Sequence, residues 1–115
     1  MAIRRLERDD WGGFCMLATR GYFGRQVSIE VVSLEIGVQP EVRRSPLIGM
    51  SYDPKSDVLQ VLLGEVSHLV HGPRELYVDE ELLGAVCVEV VDAEGIRQIF
   101  TLREPTMLPS AARPG

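Results

Sequence analysis

The sequence predicts an α+β domain, an N-terminal helix packed on an antiparallel sheet of about six strands. Three observations carry this. A single apolar stripe with helical spacing stands near the N-terminus. From Gln26 onward apolar residues alternate with polar ones, the two-residue period of half-buried strands. The breaks between these stretches are short and rich in Gly, Pro, Asp and Ser, so neighbouring strands run antiparallel.

The helix is read from Trp11, Phe14, Cys15 and Ala18, which fall at i, i+3, i+4 and i+7. Asp9 or Asp10 is placed to cap it, since a short side-chain oxygen can accept from the free N–H groups of a first turn. Gly12 and Gly13 weaken it by about 1 kcal/mol each relative to Ala, so it needs a surface to pack on. Gly21 and Gly24 offer stops.

In the first strand Val27, Ile29 and Val31 alternate with polar residues, then Val32, Leu34 and Ile36 take over on the opposite parity. A side chain changes face at every residue of a strand, so this jump predicts a β-bulge at Val31-Val32. Gly37 to Pro40 is read as a turn, and Glu41 to Tyr52 as a second strand that Pro46 interrupts. Asp53 to Asp57 is a turn, and Val58 to Leu63 a strand with Leu59, Val61 and Leu63 on one face. Gly64 to Pro73 is a connection containing a helical turn through Ser67 to Val70. Arg74 to Asp79 is a strand, and Glu80 to Gly84 a loop. Ala85 to Val91 is apolar on both sides except at Glu89, which predicts a central strand covered on both faces. Asp92-Ala93-Glu94-Gly95 fits a type I turn with Gly in the left-handed position, and Ile96 to Leu102 returns from it.

At 115 residues there is room for one domain, placed at 1–109, with 110–115 an extended or mobile tail. An apolar share of 45% and a charged share of 25% exclude wholesale disorder. A net charge of −5, with basic residues paired at most (Arg4-Arg5, Arg43-Arg44), argues against nucleic-acid binding. The run Leu82 to Val88 falls far short of the roughly 20 apolar residues that span a bilayer, which argues against a membrane protein. Residues Met1 to Asp10 lack the apolar stretch of a secretory signal, so a cytoplasmic protein is expected.

Candidate chemistry is sparse. His68 and His71 are the only histidines, and on a helical turn their spacing would set both imidazoles on one side, as a metal pair needs. Glu65, Asp79, Glu80 or Glu81 would have to complete such a site. Asp53 and Asp57 flank a proline turn, and Asp79-Glu80-Glu81 ends a strand, so these acids are read as turn formers and a solvated face. Ser51, Ser67 and Cys87 sit in no nucleophile signature, and no phosphate-cradling glycine loop occurs. Cys15 and Cys87 are read first as two small buried hydrophobes in a reducing compartment; the lesser alternative is a reactive Cys15, which lies near a helix start where the dipole favours thiolate. Trp11 and Tyr22 could line a groove, though such aromatics, like Phe14 and Phe100, more often anchor a core. No catalytic set and no cofactor motif is found.

Several phrases carry a resemblance. They include Leu6 to Trp11, Ile29 to Leu34, Pro46 to Lys55, His68 to Val70, Pro73 to Glu80 and Glu89 to Ile99, continuing through Leu102 to Pro109. On these the chain resembles the uncharacterised bacterial family known as domain of unknown function 5335. The turn Tyr52-Asp53-Pro54 with Asp57-Val58-Leu59 is similar, over a shorter stretch, to domain of unknown function 2283. The resemblance implies a small, free-standing bacterial cytoplasmic protein and brings no activity, ligand or catalytic residue. The expected function is a non-catalytic interaction module, a homodimer or the partner of another protein, because one short helix cannot cover strands that are apolar on two faces. The alternatives are a small-molecule or metal-binding protein using His68 and His71, and, ranked last, an enzyme.

Overall fold

A computed structural model describes residues 2–80 and 85–103. Among them stand one α-helix, α1 (Trp11–Tyr22), and eight strands: β1 (Ala2–Leu6), β2 (Gln26–Ser33), β3 (Gly37–Asp53), β4 (Val58–Leu63), β5 (Ser67–His71), β6 (Glu75–Glu80), β7 (Val86–Val91) and β8 (Arg97–Leu102). The strands form one antiparallel sheet in the order β1-β6-β7-β8-β2-β3-β4-β5. The α+β expectation holds, and the count rises from about six to eight because β1 and β5 were not anticipated. Both are five residues long and sit at the two edges of the sheet, where a strand needs only one apolar face and one partner.

β3 organises the molecule. At 17 residues it is long enough to serve two sets of neighbours. Its first part, to Pro46, pairs with β2, and its second, from Leu47, pairs with β4. Gly37 to Pro40, expected as a turn, is the start of this strand, and the turn falls at Leu34 to Ile36 instead. Pro40 and Pro46 are tolerated because the first part of β3 has β2 on one side and no strand on the other.

The predicted bulge at Val31-Val32 is not found. β2 runs in unbroken register against β8 from Val27 through Val32. The extra residues lie on β3, in two register shifts against Val27 to Glu30. The parity jump has another cause: beyond Val32 the hairpin outruns β8, which begins at Arg97, and neither face there meets a core. Val31 and Val32 are both half-buried, and Leu34, Ile36 and Val38 are exposed.

The sheet curls so that its inner face encloses one core. Val27, Ile29, Leu76, Val78, Val86, Val88, Val90, Phe100 and Leu102 meet Leu47, Leu59, Val61, Leu63 and Val70 there. The alternation expected in β4 holds, with Leu59, Val61 and Leu63 all inward. The ring of His68 on β5 lies edge-on to Phe100 of β8, centroids 5.7 Å apart, so the β5 edge folds over β8. β7 is internal, as expected, but its two faces differ. Val86, Val88 and Val90 are buried, whereas Cys87, Glu89 and Val91 are half-buried on a mixed outer face that includes an Arg97–Glu89 ion pair. Covering on both faces therefore does not hold for β7.

α1 lies along the second part of β3 and presents the predicted stripe, with Trp11, Cys15 and Ala18 buried and Phe14 packed beside them. Thr19 fastens it: its Oγ1 donates to a backbone carbonyl and accepts the Met50 N–H at 2.8 Å. Neither aspartate caps the helix through its side chain; a 3-10 turn, Arg8–Asp10, leads in instead. The predicted Asp92–Gly95 turn is present, with Gly95 at φ +83° and its N–H bonded to the Asp92 carbonyl. The expected loop at Glu80 to Gly84, Glu81 among the candidate acids, and the tail at 110–115 lie wholly or mostly outside the described residues. No helix among the described residues is long and apolar enough to cross a membrane.

Candidate functional site

Three places gather chemistry or unsatisfied surface. The first is a polar knot around Arg8. Its guanidinium lies 4.5 Å from the centre of the Trp11 ring. One nitrogen donates to the Tyr52 hydroxyl (2.8 Å) and to Asp57 Oδ1 (3.2 Å), and the other to the Pro73 carbonyl (3.1 Å). Tyr52 in turn donates to Asp57 Oδ1 at 2.6 Å and meets Trp11 edge-on at 5.1 Å. Burial, and then the neighbouring Asp57 carboxylate, push the Tyr52 phenol above its ordinary pKa, so it stays protonated and donating. Every strong group in the knot is bonded within the chain, which ties the helix entry to the turn before β4 and the connection before β6. The adjoining Asp53 closes its own turn, accepting from the Lys55 N–H and the Ser56 hydroxyl. Those bonds, the Lys55 N–H foremost, hold its carboxyl below the usual carboxylate range.

The second place contains the predicted histidines. Ser67–His71 is a strand, so the expected helical turn does not form. Three residues apart on a strand means opposite faces: His68 goes inward with Val70, and His71 outward with Leu69. The structure therefore does not bring the two imidazoles together as a pair. His68 joins a chain that spacing could not reveal. Its Nε2 hydrogen-bonds Gln98 Oε1, Gln98 Nε2 donates to Asp92 Oδ2 (3.2 Å), and Asp92 Oδ1 accepts the N–H groups of Glu94 (2.9 Å) and Ile96 (3.0 Å). With the Gln98 amide turned toward Asp92, its oxygen faces the ring, so Nε2 carries the proton and donates to it. A cavity of about 440 Å³ adjoins this chain, lined by His71, Gly72, Asp92, Glu94 and Gln98 among others. Among the described residues no group of three or more His, Cys, Asp and Glu side chains is placed to hold a metal ion.

The two cysteines differ in burial. Cys15 is 1% exposed and desolvation pushes its thiol up to about 11, which agrees with the buried reading and not with activation near a helix start; Cys87, expected buried, is half-buried. Cys87 faces the outer side of the sheet, 3.7 Å from the Thr101 hydroxyl.

The third place is apolar. The β2–β3 hairpin holds Leu34 wholly exposed, with Ile36 at 62% and Val38 at 57%. On the outside of α1, Met16 and Leu17 are exposed as well. A groove of about 530 Å³ runs between helix and sheet there, lined by Gly12, Met16, Arg20, Met50 and Tyr52 among others.

Fold and surfaces together define a small α+β domain, a curled antiparallel sheet closed by one helix. The chain belongs to the Family of unknown function (DUF5335), whose model matches residues 2–111. It is similar to an uncharacterized protein of Aquifex aeolicus (strain VF5), 39% identical over 110 residues, which cover 95% of this chain and 99% of that protein. No solved structure matches the chain.

Proposed function

We propose that the protein is a non-catalytic interaction domain that associates with a second copy of itself. The observation that carries this is the hairpin beyond Val32, where three large apolar side chains within five residues stand in water. Each such side chain gains roughly 1.5–3 kcal/mol on full burial, so together they favour association strongly. The bonding of the Arg8 knot within the chain supports a structural rather than a catalytic role for it. The test is molar mass by light scattering from low to high micromolar concentration. A dimer is expected, and Leu34→Ser with Ile36→Ser should give a folded monomer. A wild-type monomer at every concentration would sink the proposal.

A second reading has its own observation, the cavity of about 440 Å³ beside the His68–Gln98–Asp92 chain. That volume suits a small polar ligand, and His71 and Glu94 would contact it. A thermal-shift screen with zinc, nickel and common metabolites tests it, a rise in melting temperature that His71→Ala abolishes being the expected result. No shift with any of them would remove this reading.

A further inference from the structure

Building on the self-association above, we infer that the β2–β3 hairpin of one copy seats in the groove beside α1 of the other, reciprocally across a two-fold axis. The tip and the groove are complementary in chemistry. The tip presents Leu34 and Ile36 on either side of Glu35. The groove presents Met16 and Met50 with Arg20 at its rim. Glu35 and Arg20 are both exposed, and an anion flanked by apolar groups matches a cation beside an apolar floor.

Two further features favour this occupant. The free side of β3 along the hairpin would otherwise invite strand addition, but Pro40 and two register shifts spoil its hydrogen-bonding edge. Contact through the side chains of the tip is what remains. Gly12, in the first turn of α1, lines the groove, and a Cβ there would meet nothing within 4 Å, so a side chain at this position would enter the groove without disturbing the packing of the chain. Alanine at that exposed position would strengthen the helix by about 1 kcal/mol, so the bare backbone is not demanded by packing within the chain. A two-fold arrangement uses both tips and both grooves and closes on itself, which limits assembly to a dimer.

The experiment is a charge swap read by light scattering and by analytical ultracentrifugation on the full chain, with circular dichroism to confirm folding. Arg20→Glu and Glu35→Arg should each weaken the dimer roughly tenfold, and the double variant should recover most of that loss. Gly12→Gln fills the groove with a good helix former, so it should raise thermal stability while weakening the dimer. A wild-type dimer that all three single variants leave unchanged, or a double variant no tighter than the singles, overturns the hairpin-in-groove contact and leaves self-association standing. A wild-type monomer overturns both.

Discussion

Cys15 shows how burial decides chemistry at a single residue. With its thiol held up to about 11, the folded protein keeps the proton where an unfolded chain, near 8.5, has released it. The sign follows. Below about pH 8.5 both states are protonated and stability is unaffected; between there and about 11 only the unfolded state ionises, so stability falls as pH rises. Denaturant melts of wild type and Cys15→Ala across that range should diverge, with the shallower alkaline decline in the variant. Thiol reagents at pH 8 should leave Cys15 unmodified in the native state, and rapid labelling there would contradict the burial. Asp57 is the other telling residue. It holds φ +57°, a left-handed conformation that aspartate tolerates better than alanine, while its carboxylate joins Arg8 and Tyr52. Asp57→Ala should therefore cost about 2 kcal/mol or more in chemical denaturation, and Asp57→Asn distinctly less.

Among the elements, β3 carries the most specific expectation. Pro40 withholds a donor on the unpaired side of the strand, so Pro40→Val should change unfolding free energy little yet quicken aggregation, measured by light scattering on warming. Equal aggregation rates would show that the register shifts alone guard the edge. Strands such as β4 were legible because an apolar residue recurs at every second position, as Leu59, Val61 and Leu63 do, whereas the start of β3 has no such beat. β5 was not, because Leu69 and Val70 are adjacent and the inward position before Val70 is a histidine, which gives no apolar beat. β1 was hidden by Arg4-Arg5 between Ile3 and Leu6. The parity jump at Val31-Val32 was read as a bulge, yet it marks where the strand leaves the core. Alternation reports an apolar face and not whether anything covers it.

Across the whole molecule, the sequence placed the apolar excess on a two-faced sheet; in the structure part of it does stand on the outer face, at Ile3, Ile48, Leu62 and Leu69, while the most exposed cluster lies at the hairpin tip and more lies outside α1. The sum of apolar residues was sound, but their distribution depended on how far the sheet curls, and that is set by pairings between distant segments. The candidate site was partly legible for the same reason. His68 stood out as a residue type, whereas its partner Gln98 is an uncharged side chain 30 positions away with no pattern to announce it. The relative from Aquifex aeolicus, matched over nearly its full length, offers an independent check on association: its molar mass in solution should also be that of a dimer.

The pairing of the first strand with β6 has a consequence for the order of events during synthesis. Ala2 opposes Glu80 and Leu6 opposes Leu76, so β1 has no strand partner until β6 has been made. Adjacent hairpins such as β4–β5 and β7–β8 close short loops and can form early, whereas β1 must close a loop of about 70 residues. Truncation at the buried residue of β1, Leu6→Ala, should then speed unfolding and leave the refolding rate nearly unchanged, and a matching slowdown in refolding would place β1 in the nucleus instead.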